Sequence, residues 1–250
     1  MEWYYYVIIV LAGFLAGFIN TLAGAGSLIT LPLLIFIGLP ANVANGTNRI
    51  SVLMQSIVGS VKFKQEKLFE WGETIEYLIP SVVGAVLGAN MAVTISADAV
   101  NLAVGAVMVV MFFVILLDTE RWLKDQVVLN HKKGMRIVRV FVFFLIGVYG
   151  GFIQAGVGYL LLAGFAFLSG GSLIKSNALK VLLTMVFTLF ALIVFVVNNQ
   201  VDYLVGIIMG SGSMVGAWIA AHLAIKNGAP IVRYFLLGTL LLFAAKLLFF

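Results

Sequence analysis

GFLAGFINTLAGAGSL, residues 13–28, returns as GVYGGFIQAGVGYL, residues 147–160, each inside an otherwise apolar stretch. The shared skeleton is G-x-x-x-G-F-I-[NQ] followed by A-G-x-G. Gly13, Gly17, Phe18, Ile19 and Asn20 match Gly147, Gly151, Phe152, Ile153 and Gln154 at a spacing of 134 positions. After a two-residue deletion, Ala23, Gly24 and Gly26 match Ala155, Gly156 and Gly158 at a spacing of 132. Unwound backbone is tolerated in hydrocarbon only where protein buries it or it lines a cavity. Glycine-broken apolar segments at matching places in two halves are therefore the sequence mark of a site built between transporter repeats.

Composition agrees with a chain solvated by lipid. It is 63% hydrophobic and 10% charged, with a mean hydropathy of +1.15, far too little charge for the surface of a water-soluble domain. Apolar stretches of 17 residues and more suit helices rather than the short alternating strands of an outer-membrane barrel. The fold class expected is all-α: a polytopic membrane protein of two inverted repeats, each with a glycine-broken re-entrant or hairpin helix pair plus three transmembrane helices. The first apolar stretch lacks a basic leader and a cleavage site, so it reads as membrane structure rather than a removed signal. No cysteine is present, which removes disulfide and thiolate chemistry. The net charge of +5 is carried by short loops, so it points to no nucleic acid.

Along the chain we read a broken segment 4–37, helices near 49–62, 76–94 and 99–117, a polar linker 118–139, a second broken segment 140–168, and helices near 177–197, 203–223 and 230–249. This gives a first membrane repeat 1–117, a cytoplasmic linker, and a second repeat 140–250. Ile79, Gly84, Gly88 and Ala89 match Ile207, Gly212, Gly216 and Ala217, and such small-residue pairs serve close helix packing. Lys and Arg accumulate on the cytoplasmic side. If both broken segments are hairpins and the linker is inside, every one of the 15 basic residues except Arg49 and Lys246 falls inside. A single crossing per broken segment scatters them. The hairpin arrangement inverts the two halves, with both termini outside and the glycine tips approaching one another near the midplane.

The candidate binding residues cluster at these breaks. Asn20 and Gln154 are the amide side chains at the matching turns. Around them Gly24, Gly26 and Ser27, and Gly156 and Gly158, leave N–H groups at the start of the next half-helix, where the positive dipole end suits an anion. Arg49 follows the polar run Asn45-Gly46-Thr47-Asn48. It is either an interfacial arginine reaching headgroups or an anion clamp, with Asn45, Thr47 and Asn48 as hydrogen-bonding neighbours. Asn45 and Asn48 correspond to Asn177 and Lys180, so the second half has its own polar and basic helix start. Gln55, further along the same helix as Arg49, faces the same path. No carboxylate lies deep in an apolar stretch, which argues against a carboxylate proton or sodium relay. His222 near a helix end reads as interfacial.

GFINTLAGAGSLITLPLL followed by IGLPANVANGTNRISVLMQS resembles the TauE/SafE family of membrane permeases, and the resemblance extends over nearly the whole chain. It implies a multi-pass protein of the prokaryotic plasma or inner membrane that exports sulfite, sulfonates or other small organic anions. By motif match, the family's glycine turn falls on Asn20, Gly24 and Gly26, and its polar helix start on Asn45, Thr47, Asn48 and Arg49. The second half departs from the first, with Ser169-Gly170-Gly171 in place of Gly38-Leu39-Pro40 and no arginine matching Arg49. The reading is a secondary transporter of small oxyanions, with an anion channel, or a carrier of another small organic anion such as a carboxylate, as the alternative. Its partners are the small anion and the lipid bilayer, with a homo-oligomer compatible. It needs no cofactor and no metal. An enzyme is disfavoured, because no G-x-S-G, no H-E-x-x-H and no buried aspartate pair is present.

Overall fold

The computed structural model describes residues 2–69, 71–117, 135–169 and 172–227, and its described elements are all helices. They are α1 (Trp3–Leu22), α2 (Ser27–Phe36), α3 (Ala41–Gln65), α4 (Trp71–Thr94), α5 (Ala97–Leu117), α6 (Met135–Phe152), α7 (Val157–Leu168), α8 (Leu173–Val197) and α9 (Tyr203–Asn227). Within this set α1, α4, α8 and α9 contain spans long and apolar enough to cross a membrane. With a 1.5 Å rise per residue, the 10 residues of α2 and the 12 of α7 reach only about half of a hydrocarbon core roughly 30 Å thick.

Each broken segment folds back on itself. A Cβ on Gly26 would run into the carbonyl of Ala16, and Ile9 and Leu34 share one cluster, so α2 returns along α1. The second hairpin is more fully zipped. Phe143 and Phe165 pack with ring centroids 4.9 Å apart, Gly164 faces Ile146, and Arg139 Nε donates to the Leu168 carbonyl at 2.8 Å.

The hairpins then dock across the halves through the small-residue seams. On α9, a Cβ at Gly212 or Gly216 would strike the carbonyls of Val10 or Phe14 on α1. On α4, a Cβ at Gly84 or Gly88 would strike those of Phe144 or Val148 on α6. Reciprocally, Gly13 and Gly17 lie on Met209 and Ser213, and Gly147 and Gly151 on Ser81 and Ala85. Each long hairpin arm thus packs on the fourth helix of the opposite half, close enough that only glycine fits. Exchanging α1, α2, α3 and α4 for α6, α7, α8 and α9 turns each principal helix pair into another observed pair, while α3 and α8 face each other.

Several boundaries differ from the sequence reading. Helix α3 begins at Ala41, with Pro40 preceding it, so Asn45-Gly46-Thr47-Asn48 is helix interior and Arg49 lies two turns in rather than at the start. Likewise α8 begins at Leu173, where the Ser172 hydroxyl accepts from Lys175 N–H, placing Asn177 and Lys180 inside the helix. Asn45, Thr47, Arg49 and Lys180 sit inside these helices with partners in the other half, while Asn48 bonds Thr30 and Ser27 of its own. Arg49 and Lys180 are buried within helices and do not count among the loop charges. Of the linker 118–139, Met135–Arg139 belongs to α6, and 118–134 lies outside the described residues, as does the expected helix 230–249.

Candidate functional site

Where α1 ends, Ala23 N–H donates to the Ile19 carbonyl at 2.7 Å and Gly24 N–H to that of Asn20 at 2.9 Å, and Gly24 then turns at φ +84°. The second turn has Gln154 at φ +67° and Gly156 at φ +71°. A left-handed backbone costs a side-chain-bearing residue about 1–3 kcal/mol, so Gln154 is held there by its surroundings. Its amide donates to Thr188 Oγ1 at 2.5 Å, and its Oε1 is buried without a partner. The two turns touch: a Cβ on Gly24 would fall on the Cα of Gly158, and a Cβ on Gly158 on the Cα of Gly24. Beyond the turns, the N–H groups of Ala25, Gly26 and Ser27, and of Ala155, Gly156 and Gly158, have no acceptor among the described residues. Those groups open α2 and α7, so two positive helix ends meet at this contact.

Two buried cations close the opposite ends. Arg49, fully buried at 0% exposure, donates to the carbonyls of Gly150 at 3.1 Å and Gly151 at 2.5 Å, and to Asn45 Oδ1 at 3.4 Å. Asn45 Nδ2 donates to the Phe152 carbonyl at 2.7 Å, and the Phe195 ring lies 4.5 Å from the guanidinium carbon. Helix α3 of the first half thereby caps the end of α6 in the second. The converse holds for Lys180, 2% exposed, whose Nζ donates to the carbonyls of Asn20 at 2.9 Å and Thr21 at 3.0 Å at the end of α1. Helix C-termini carry about half a negative charge, which favours a cation. Neither cation has a carboxylate within ion-pair distance among the described residues, where Arg136 pairs with Glu76 at 3.5 Å.

A polar cavity of about 10 Å³ lies between these parts, lined by Asn20, Thr21, Gly24, Ser56, Gly158, Lys180, Val181 and Thr184. Its size suits about one water molecule. Of the sequence-derived candidates, the structure brings Asn20, Gly24, Gly158 and Lys180 together here, with Gly26 and Gly156 in the adjoining turns. The others have different engagements. Asn48 accepts from Thr30 Oγ1 at 2.6 Å and donates to Ser27 Oγ at 3.1 Å, tying α3 to the start of α2. Thr47 Oγ1 accepts from Asp202 N–H at 2.8 Å, fastening the loop before α9. Gln55 Oε1 and both amide atoms of Asn177 are buried without partners.

Sequence reasoning missed Ser56, Thr184 and Thr188. The signal available was their register: Ser56 matches Thr188 at the same 132 spacing as the glycine turns. Hydroxyls in apolar helices usually bond their own backbone, so they stay inconspicuous. Among the described residues no group of three metal-ligating side chains gathers.

Comparison with known proteins places this arrangement. The profile described as "Sulfite exporter TauE/SafE" matches residues 9–247. The chain belongs to the TauE/SafE family. Its relatives include "Probable membrane transporter protein ORF9" of a Sinorhizobium species, 29% identical over 95% of this chain and 90% of that protein. "Probable membrane transporter protein" of Haemophilus influenzae is 25% identical over 95% and 92%. "Probable membrane transporter protein YfcA" of Escherichia coli K12 is 26% identical over 94% and 86%. No solved structure matches the chain. The protein is thus a multi-pass membrane transporter of the TauE/SafE type.

Proposed function

We propose that this transporter is a secondary carrier, and an exporter, of small oxyanions, with sulfite and organosulfonates first, and that the anion binds where the two glycine turns meet. One observation carries the reading: a buried lysine without a counter-acid and the contact of the two glycine turns, with the uncommitted N–H of Gly158 at the start of α7, line one cavity. Each helix end contributes about half a positive charge. Against these stand the C-termini of α1 and α6, the second capped by Arg49 as the first is by Lys180, so the region carries a net positive field that a small anion complements. Asn20, Ser56 and Thr184 supply neutral hydrogen-bonding groups that fix its orientation, and the family's description as sulfite exporters supports the substrate class.

Inverted repeats go with this reading, with both termini outside and the 118–139 linker in the cytoplasm. Supporting them are the exchange of equivalent helix pairs and the grouping of loop ends. Loop 198–202 meets Thr47 and Val93 through Asp202 N–H and Gln200 Nε2, while Leu168, Ser169, Arg139 and Tyr77 gather together. A cavity for one water is too small for sulfite, so this conformation is closed, which favours a carrier over an open channel. The test is uptake of labelled sulfite, sulfonates and carboxylates into proteoliposomes, with and without a pH gradient. Saturable sulfite flux with counterflow supports the carrier. Flux without counterflow returns the channel, and carboxylate flux alone returns the other substrate class.

A further inference from the structure

The two capping cations differ in how firmly they are held. Arg49 spreads its terminal nitrogens over the carbonyls of Gly150, Gly151 and Phe152 and the Asn45 amide oxygen, leaving only Nε unpartnered, and Phe195 covers its face. Lys180 holds the Asn20 and Thr21 carbonyls from a single nitrogen. An ammonium has three N–H groups, so one remains uncommitted, and Lys180 is among the residues that line the cavity while Arg49 is not. The cavity admits about one water, so an oxyanion enters only if a lining group yields. The lining group with the strongest reason to change partners is Lys180. Its bonds to carbonyls and to an anion are both charge-assisted, but a full negative charge attracts the ammonium more strongly than the partial charge of a helix end.

We propose that Lys180 is an exchange latch. With the site empty, its ammonium holds the C-terminus of α1 shut. When an oxyanion enters, the ammonium transfers from the Asn20 and Thr21 carbonyls to the anion, which also accepts hydrogen bonds from Ser56 and Thr184. The freed carbonyls lose their cation, and α1 loosens from Asn20 to Gly24. Occupancy is thereby converted into opening, and an empty site stays closed against leak. This inference rests on the oxyanion reading above and adds to it the residue that senses the anion, two hydroxyl ligands, and the segment that moves.

Hydrogen–deuterium exchange on the purified full chain tests it, with sodium sulfite against sodium chloride at equal ionic strength, beside sulfite flux in proteoliposomes. The amides of Ala23 and Gly24 report the latch, since their acceptors are the Ile19 and Asn20 carbonyls. In the wild type, sulfite at concentrations that saturate flux is expected to speed their exchange severalfold. Lys180→Met is expected to exchange fast already, with no response to sulfite. Thr184→Val and Ser56→Ala should keep the slow resting exchange and require about two- to tenfold more sulfite for the same response, the cost of one hydrogen bond. If Lys180→Met does not fold, the wild type and these two variants still decide. Saturable sulfite flux with unchanged or slowed exchange at Ala23 and Gly24 overturns the latch and leaves the carrier standing. Absence of any sulfite or sulfonate flux in the wild type overturns the carrier reading and the latch with it.

Discussion

Arg49→Ala separates a residue that builds the fold from one that binds the anion. In the structure the guanidinium donates to the Gly150 and Gly151 carbonyls and lies against Phe195, with no solvent exposure. Truncation leaves both carbonyls buried without donors, at about 1–3 kcal/mol each, or roughly 2–6 kcal/mol together. At roughly 2–4 °C per kcal/mol for a chain of this length, the apparent Tm should fall by about 4–24 °C. Arg49→Lys offers one nitrogen where the fork supplies two, and should lose about one charged hydrogen bond, roughly 1.5–3 kcal/mol. The assay is thermal unfolding of the detergent-purified variants, paired with sulfite flux measured well below each Tm. Flux should then show a half-saturation concentration close to wild type. An Arg49→Ala protein with wild-type Tm and no flux would refute the reasoning, because the guanidinium would then serve the substrate rather than the end of α6.

Gly24→Ala should abolish flux, since its φ of +84° strains any side chain and the new Cβ meets the Cα of Gly158; wild-type flux at wild-type expression would remove the turn contact from the mechanism. Gly216→Leu should collapse the α1 and α9 seam and prevent accumulation of folded protein, whereas Gly105→Ala, where a Cβ meets nothing within 4 Å, should be neutral or slightly stabilising; equal expression of the two variants would contradict the packing argument. In the cysteine-free background, single cysteines at the exposed positions Lys64 and Asn199 should react with impermeant maleimide from the cytoplasmic and the external side respectively. Labelling of both from one side would overturn the inverted arrangement.

The sequence announced the hairpins and their docking more clearly than the chemistry between them. Two glycine turns and two small-residue seams are local patterns, and duplication doubled their signal. Membrane packing without a hydrophobic driving force depends on close backbone approach, so glycine spacing carries the information directly. The roles of Asn45, Thr47 and Arg49 were not legible in the same way. A polar run of this kind reads as a loop or a helix start, because its stabilising partners, the carbonyls of residues 150–152 and the 198–202 loop, are more than 100 positions away and carry no side-chain signature. Ser56, Thr184 and Thr188 were hidden for a related reason. A lone hydroxyl on an apolar helix gains meaning only when the neighbouring helix is placed against it.

The crossed capping carries one consequence that neither half alone would have. Since α3 caps α6 and α8 caps α1, the Gly150 and Gly151 carbonyls of one hairpin and the Thr21 carbonyl of the other take donors from the opposite repeat. In hydrocarbon such carbonyls cost several kcal/mol each when unpaired, so the halves must fold together. The same dependence gives a transporter its leverage, because changing the partner of one cation in one half acts on the hairpin of the other. A tight arginine cap and a looser lysine cap divide the labour within that scheme. The first keeps α6 fixed against α3 while the second, in the latch we propose, yields to the anion. A perfectly symmetric pair would either hold both ends shut or release both together, and releasing both would open a leak. Unequal residues at related positions are therefore what a closed resting state with one responsive end requires.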